Sequence, residues 1–255
     1  MGVYTLKSGS LAVMVVSMGA EIKSVKDCKT GLEYMWNANP IYWKRTSPIL
    51  FPVVGNCRNQ EMRYNGRIYT MPQHGFARDM DFELLSLKQN EAWFGLSSTP
   101  DTLRRFPFPF RLEIGYEVLD RMVKVHWRVA NTGRDTMYFL IGGHPAFICP
   151  ERESDRQSDY YIGFEGLNEV VCRTIEEGGV ASDRLVTYPL EDGLLRITED
   201  LFNDDALVVE NHQTQRVSLC TPDRKPYVTV SFDAPLFGVW SVPRKEAPFV
   251  CIEPW

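Results

Sequence analysis

The six cysteines are too far apart to form a C-x-x-C pair, falling at 28, 57, 149, 172, 220 and 251. That spacing argues against thiolate metal clusters and redox dithiols. A secretion signal is also missing. Lys7 alone precedes the apolar run at residues 11–18, a poor basic n-region. Reduced thiols in a cytoplasmic protein are therefore expected. The same run is too short to span a membrane and reads as a buried strand. There is no Gly-rich phosphate loop and no G-x-S-x-G elbow, which sets aside P-loop and nucleophile-elbow chemistry. Lys and Arg form no basic block and the formal net charge is −5. Nucleic acid and anionic membrane are thus poor candidates for the main partner. Helical periodicity is scarce. Residues 99–106 and 194–202 could each hold a short turn, too little for βαβ units.

What the sequence does contain is short apolar runs with turn residues between them. Its 255 residues approach the upper end for one hydrophobic core. With no repeat, low-complexity tract or linker, residues 1–255 read as a single domain, monomeric or homodimeric. Alternation is cleanest at residues 122–129, where Val123, Val125, Trp127 and Val129 share one face and Lys124, His126 and Arg128 the other. Asn131-Thr132-Gly133 then turns the chain into an expected strand at 137–141. Asn65-Gly66 predicts a type I′ hairpin, because both central residues need positive φ. Later strands are expected at 206–210, 217–220, 227–232, 238–242 and 249–252, and an exposed loop at 151–159. Together these imply an all-β, largely antiparallel sandwich.

Only four histidines are present. His126 shares a polar strand face and His212 sits in a polar turn, so both read as solvated. His74 and His144 each adjoin glycine, which permits close approach of backbone or ligand. His144 follows an apolar strand and precedes Pro145, which biases its backbone toward extended conformations. Either histidine can equally be a core residue bonded to a backbone carbonyl. Glu253 follows Phe249 and Cys251 at period two and should share their face. On an inward face it would be a buried carboxylate of raised pKa, suited to a general base; otherwise it is a terminal glutamate in solvent. Two imidazoles and a carboxylate could also bind zinc or iron, but no local ligand motif supports a metal and none is expected. Trp36, Trp43, Trp240 and Trp255 lie near turns or strand ends, where an aromatic face can pack on the C–H face of a sugar.

In combination, several motifs resemble the aldose 1-epimerase (galactose mutarotase-like) family over nearly the whole chain. They are Gly19-Ala20-Glu21, Tyr34-Met35-Trp36, Ile49-Leu50-Phe51-Pro52, residues 73–79 (QHGFARD), residues 142–147 (GGHPAF) and residues 251–255 (CIEPW). The resemblance is strongest to the bacterial, lactose-operon-type branch. It implies a β-supersandwich that interconverts the α and β anomers of a free aldose without metal or organic cofactor. By this resemblance Glu253 is the base that removes the anomeric hydroxyl proton and His144 the acid that protonates the ring oxygen. His74 bonds the substrate and supports that transfer. The family's substrate-binding arginine falls at Asn56 here, with Arg58 two residues later and expected on the same strand face. Asp205 matches a substrate-binding aspartate, and Trp240 joins the substrate-binding set. Family members usually continue past Glu-Pro-Trp with further strand-forming residues, which suggests a shortened C-terminus here and an exposed sheet edge near Trp255. Two rival readings remain. One is a hexose 6-phosphate epimerase using Arg58, Arg78, Arg104 and Arg105. The other is a carbohydrate-binding or sensing protein without catalysis.

Overall fold

A computed structural model describes every residue except Glu177. Strands take up 48% of the chain and helices 6%, and the longest described helix has six residues. The all-β expectation is borne out. The chain divides into two compact units, Met1–Glu33 with Ser47–Gly142, and Tyr34–Thr46 with Gly143–Trp255.

The first unit holds a three-stranded antiparallel sheet, Val3–Ser8, Leu11–Val16 and Glu21–Asp27. It also holds a four-stranded sheet in the spatial order Met122–Asn131, Phe110–Leu119, Glu91–Ser97 and Glu83–Leu87. Period two explains the burial. Phe110, Leu112, Ile114, Tyr116 and Val118 are all 1% exposed or less, because alternate side chains share a face. Tyr116 keeps a buried hydroxyl by donating to the Ala20 carbonyl at 2.5 Å. Met122–Asn131 is the edge of its sheet, so its clean alternation buries neither face fully. Val125 stays 44% exposed, and His126 stacks on Trp93 with Nε2 3.7 Å from Glu117. The solvated reading of His126 stands. His212 is likewise exposed. Asn65 and Gly66 have φ of 47° and 74°, the pair of positive values the type I′ turn requires. They join Glu61–Tyr64 to Arg67–Thr70.

Two local expectations are corrected. Residues 137–141 form no strand, and Tyr138, Phe139 and Leu140 are 67%, 38% and 50% exposed. Apolar content cannot make a ladder where no neighbouring strand pairs with it. The segment is tied at Leu140, whose N–H donates to the Pro52 carbonyl. In the other case, residues 194–202 open with the strand Leu194–Arg196, recruited by Tyr161–Phe164, and the expected turn begins only at residue 199. Residues 99–106 do hold a helix, Pro100–Arg105, started by a Thr99 capping box.

The second unit contains a six-stranded antiparallel sheet and a four-stranded one. The spatial order of the first is Ala146–Ile148, Phe249–Pro254, Phe237–Trp240, Leu207–Val209, Glu169–Glu176 and Val180–Pro189. The second runs Leu194–Arg196, Tyr161–Phe164, Arg216–Cys220 and Pro226–Ser231. Val250, Ile252, Phe237 and Val239 pack with Ile162, Phe164, Val217 and Leu219 in one core. On the opposite face of the same C-terminal strand, Phe249 and Cys251 join Trp36, Ala146 and Ala247 in a second cluster. The last strand is flanked on both sides, and Trp255 exchanges backbone hydrogen bonds with Leu236. Near Trp255 the backbone is paired on the Leu236 side, while the strand Ala146–Ile148 pairs with the other side only as far as Cys251. Residues 151–159 are exposed or half-buried, with one exception. Gln157 is buried and donates its side-chain amide to the carbonyls of Ala247 and Phe249 at 2.7 and 2.8 Å. That tether holds the start of the final strand.

Candidate active site

Burial on both faces of the final strand decides what Glu253 is. Phe249, Cys251 and Glu253 alternate onto the aromatic face, and Glu253 is 4% exposed. It is a buried carboxylate, not a frayed terminus. The neighbouring strand pairs Ala146 with Cys251, so two residues further along the same register His144 stands opposite Glu253. Pro145 anchors the step by accepting from the Ile252 N–H. The result is a cross-strand pair with His144 Nε2 3.3 Å from Glu253 Oε2. His144 is 6% exposed.

Burial pushes the Glu253 carboxyl well above the usual carboxylate range, and the negative charge of Asp205 adds to the rise. Glu253 Oε1 is buried with no hydrogen-bond partner among the described residues. Asp205 is also raised by burial, opposed by the Ala206 N–H, which donates to it, and by the nearby Trp240 indole. The Ala206 bond is 2.8 Å long.

An aromatic frame surrounds the pair. Trp43 stacks on the His144 ring with centroids 4.7 Å apart and planes 27° from parallel. Trp240 meets the same ring edgewise at 5.6 Å and 84°. Phe249 packs beneath Trp43, Trp36 and Trp240 at 5.8, 4.9 and 5.9 Å. The segment Tyr34–Thr46 that supplies Trp36 and Trp43 has no regular structure of its own. Both its ends are sewn to the strand Ala146–Ile148: Ile148 N–H to Tyr34, Trp36 N–H to Ala146, and Ala146 N–H to Thr46.

Two contributors escape sequence reading. Trp43 reads as one turn-proximal tryptophan among several, and its partner is set only by the fold. Gly238 stands opposite Glu253, and a Cβ there would lie 2.8 Å from the Trp255 ring and 3.7 Å from the Glu253 carboxyl carbon. A glycine inside a strand is the available signal, since it marks a close approach.

The first unit carries the other expected residues. His74 has φ of 62°, and its Nδ1 accepts from the Gly55 N–H at 3.1 Å while its own N–H donates to the Gly55 carbonyl. Its ring thus accepts from a backbone amide. A Cβ on Gly75 would sit 2.1 Å from the Phe51 carbonyl oxygen, so glycine is required beside His74. Asn56 is half-buried and Arg58 is exposed. The expected shared strand face is corrected, because Arg58 opens a 3-10 turn, Arg58–Gln60. Of the other arginines, Arg78 donates to the Gln73 carbonyl, Arg104 to Asp101, and Arg105 lies over the Phe76 ring.

His144, Cys251 and Glu253 bring a nitrogen, a sulfur and an oxygen within 4.8 Å of one another. Metal ligation needs deprotonated thiol and carboxyl, whereas burial pushes both Cys251 and Glu253 well up toward their neutral forms. All six cysteines are free. No helix among the described residues is long and apolar enough to cross a membrane.

Fold and motifs agree with the comparisons to known proteins. The sequence model of the aldose 1-epimerase family matches residues 2–255, and the chain belongs to that family. It is 31% identical to the plasmid-encoded protein LacX of Lactococcus lactis subsp. lactis, covering 98% of this chain and 86% of that one. Among solved structures it resembles a galactose mutarotase related enzyme from Lactobacillus acidophilus. That match has a TM-score of 0.94 and 35% identity over 100% of this chain and 85% of the other. A galactose mutarotase-like protein from Lactobacillus casei ATCC 334 matches with a TM-score of 0.89 and 29% identity, over 99% and 87%. The fold is the galactose mutarotase-like β-sandwich.

Proposed function

We propose that this protein is a mutarotase that interconverts the α and β anomers of a free hexose such as galactose or glucose. The observation that carries the reading is the buried His144–Glu253 pair, 3.3 Å apart. Ring opening removes a proton from the anomeric hydroxyl and delivers one to the ring oxygen. Those oxygens share one carbon, so base and acid must stand side by side. Glu253 takes the hydroxyl proton and His144 supplies the other. The C1–C2 bond of the open aldehyde rotates, and closure on its other face returns both protons. Protons lost and gained balance, and the scheme calls for no metal or organic cofactor.

His74 is assigned a supporting role. Because Nδ1 accepts from Gly55, a neutral His74 carries its proton on Nε2, the tautomer a donor to a sugar oxygen needs. Asp205 and Trp240 are assigned to substrate binding, with Asn56 or Arg58 in the arginine's place. A free sugar is favoured over a sugar phosphate because Arg78, Arg104 and Arg105 each engage a different group. The protein is proposed to work in the cytoplasm as a monomer or homodimer, with a small sugar as its partner.

The test is anomer exchange, followed by NMR or polarimetry with and without the protein, on galactose, glucose and glucose 6-phosphate. Acceleration on the free sugars is expected. Acceleration confined to the phosphate replaces the substrate assigned here. Binding without acceleration replaces the enzyme with a sugar-binding protein.

The pH profile gives a second expectation. The charge of Asp205 disfavours ionisation of Glu253, so removing it lowers the Glu253 pKa. Activity needs Glu253 ionised and is lost as pH falls through that pKa. In Asp205→Asn the acid limb of kcat/KM should therefore move to lower pH. Asparagine can still accept from the Ala206 N–H, which preserves the local hydrogen bond. A limb that stays in place, or moves upward, would remove Asp205 from control of the base.

A further inference from the structure

We propose that Trp43 is a positioning residue for His144, whose indole face holds the imidazole opposite Glu253 and stabilises its protonated form. As a statement about catalysis this rests on the mutarotase reading. As a statement about the His144 proton it stands alone.

The argument starts from geometry. The rings are 4.7 Å apart and 27° from parallel, inside the roughly 6 Å range in which a cation is attracted to an aromatic face, and indole is the strongest such face. Trp43 is itself held in place. Its carbonyl accepts from the Trp36 indole N–H at 2.9 Å, and its N–H donates to the Asn39 carbonyl. Trp240, edge-on to both Trp43 and His144, closes a second side. His144 thus has little freedom to tilt away from Glu253.

A buried general acid has a difficulty that this stacking relieves. Burial favours the neutral imidazole, a far weaker acid than the imidazolium. Within the second unit, the charged and titratable groups on the elements packed against His144 are few. Glu253, on the final strand, favours the imidazolium when ionised, but its own burial pushes it toward the neutral form. Cys251, on the same strand, is held as a thiol by burial and adds no charge. Asp205 reaches the pair through Glu253 and Trp240. Lys44, which is exposed, and Arg45, which is half-buried, follow Trp43 in the chain and are the cations of that segment. The indole face supplies attraction that does not depend on the protonation of Glu253, so it serves the acid at every stage of the cycle.

The experiment is an NMR titration of His144 in the folded protein, its signal assigned by loss in His144→Asn. Trp43→Leu keeps apolar bulk and removes the π face, while Trp43→Phe keeps a weaker one. In Trp43→Leu the His144 pKa should fall by about 0.5–1 unit, and in Trp43→Phe by less. The acid is needed protonated and is lost as pH rises through its pKa, so the alkaline limb of the anomerisation profile should move to lower pH by the same amount. An unchanged His144 pKa in folded Trp43→Leu overturns the proposal. Where that variant does not fold, an unchanged pKa in Trp43→Phe does the same. A shifted pKa in a protein with no anomerase activity would leave Trp43 in this role and remove the mutarotase reading instead.

Discussion

Glu253→Gln is expected to lower kcat for anomer exchange by about 10²–10⁴-fold while the protein stays folded. Glutamine fills the same space opposite Gly238 and can still hydrogen-bond a hydroxyl. It cannot take up and hold the anomeric proton. The surroundings make Glu253 a stronger base than a surface carboxylate would be, because burial and the nearby Asp205 charge raise its pKa. Its acid limb should vanish from whatever activity remains, since glutamine does not titrate. Its loss also removes the carboxylate 3.3 Å from His144 Nε2. A double substitution with His144→Asn should therefore be little worse than either single change, as the two act as one unit. Polarimetric kcat on purified, folded Glu253→Gln decides the matter. A rate within about threefold of wild type corresponds to less than about 1 kcal/mol of barrier and would leave a sugar-binding protein as the better account.

The largest effect on stability is expected from Phe249→Ala. Phe249 is 0% exposed and touches Trp36, Trp43 and Trp240, with ring centroids 4.9–5.9 Å away. Truncating such a ring removes its transfer free energy and leaves a cavity, together about 3–5 kcal/mol. For a chain of this size each kcal/mol lowers Tm by about 2–4 °C, so a fall of about 6–20 °C is expected. The strand itself should persist, because the Gln157 amide still binds the Phe249 carbonyl and Val250 and Ile252 still pack on the opposite face. Thermal unfolding followed by circular dichroism measures it. A fall of under about 2 °C would show that the surrounding rings collapse into the space. Trp43 would then have moved, and with it the stacking on His144.

Some of this was legible without coordinates. Asn65-Gly66 announced its hairpin because both residues tolerate positive φ, a local property. Phe249, Cys251 and Glu253 announced a common face because alternation is built into an extended backbone. The motifs around His74, His144 and Glu253 were enough to place the chain in its family. Other features depend on a partner remote in sequence. Residues 137–141 carry strand-forming side chains but meet no strand. Residues 194–196 make a strand because Tyr161–Phe164 is there to pair with them. Whether Glu253 was a solvated end or a buried carboxylate depended on the residues covering it. Those come from residues 36–43 and 237–240, some two hundred residues before it and a dozen or so before it respectively. Trp43 and Gly238 became parts of the site on the same terms. A stacking partner and a gap for a ring are relations between distant segments, and the register of the sheet, not the local sequence, decides which segments meet.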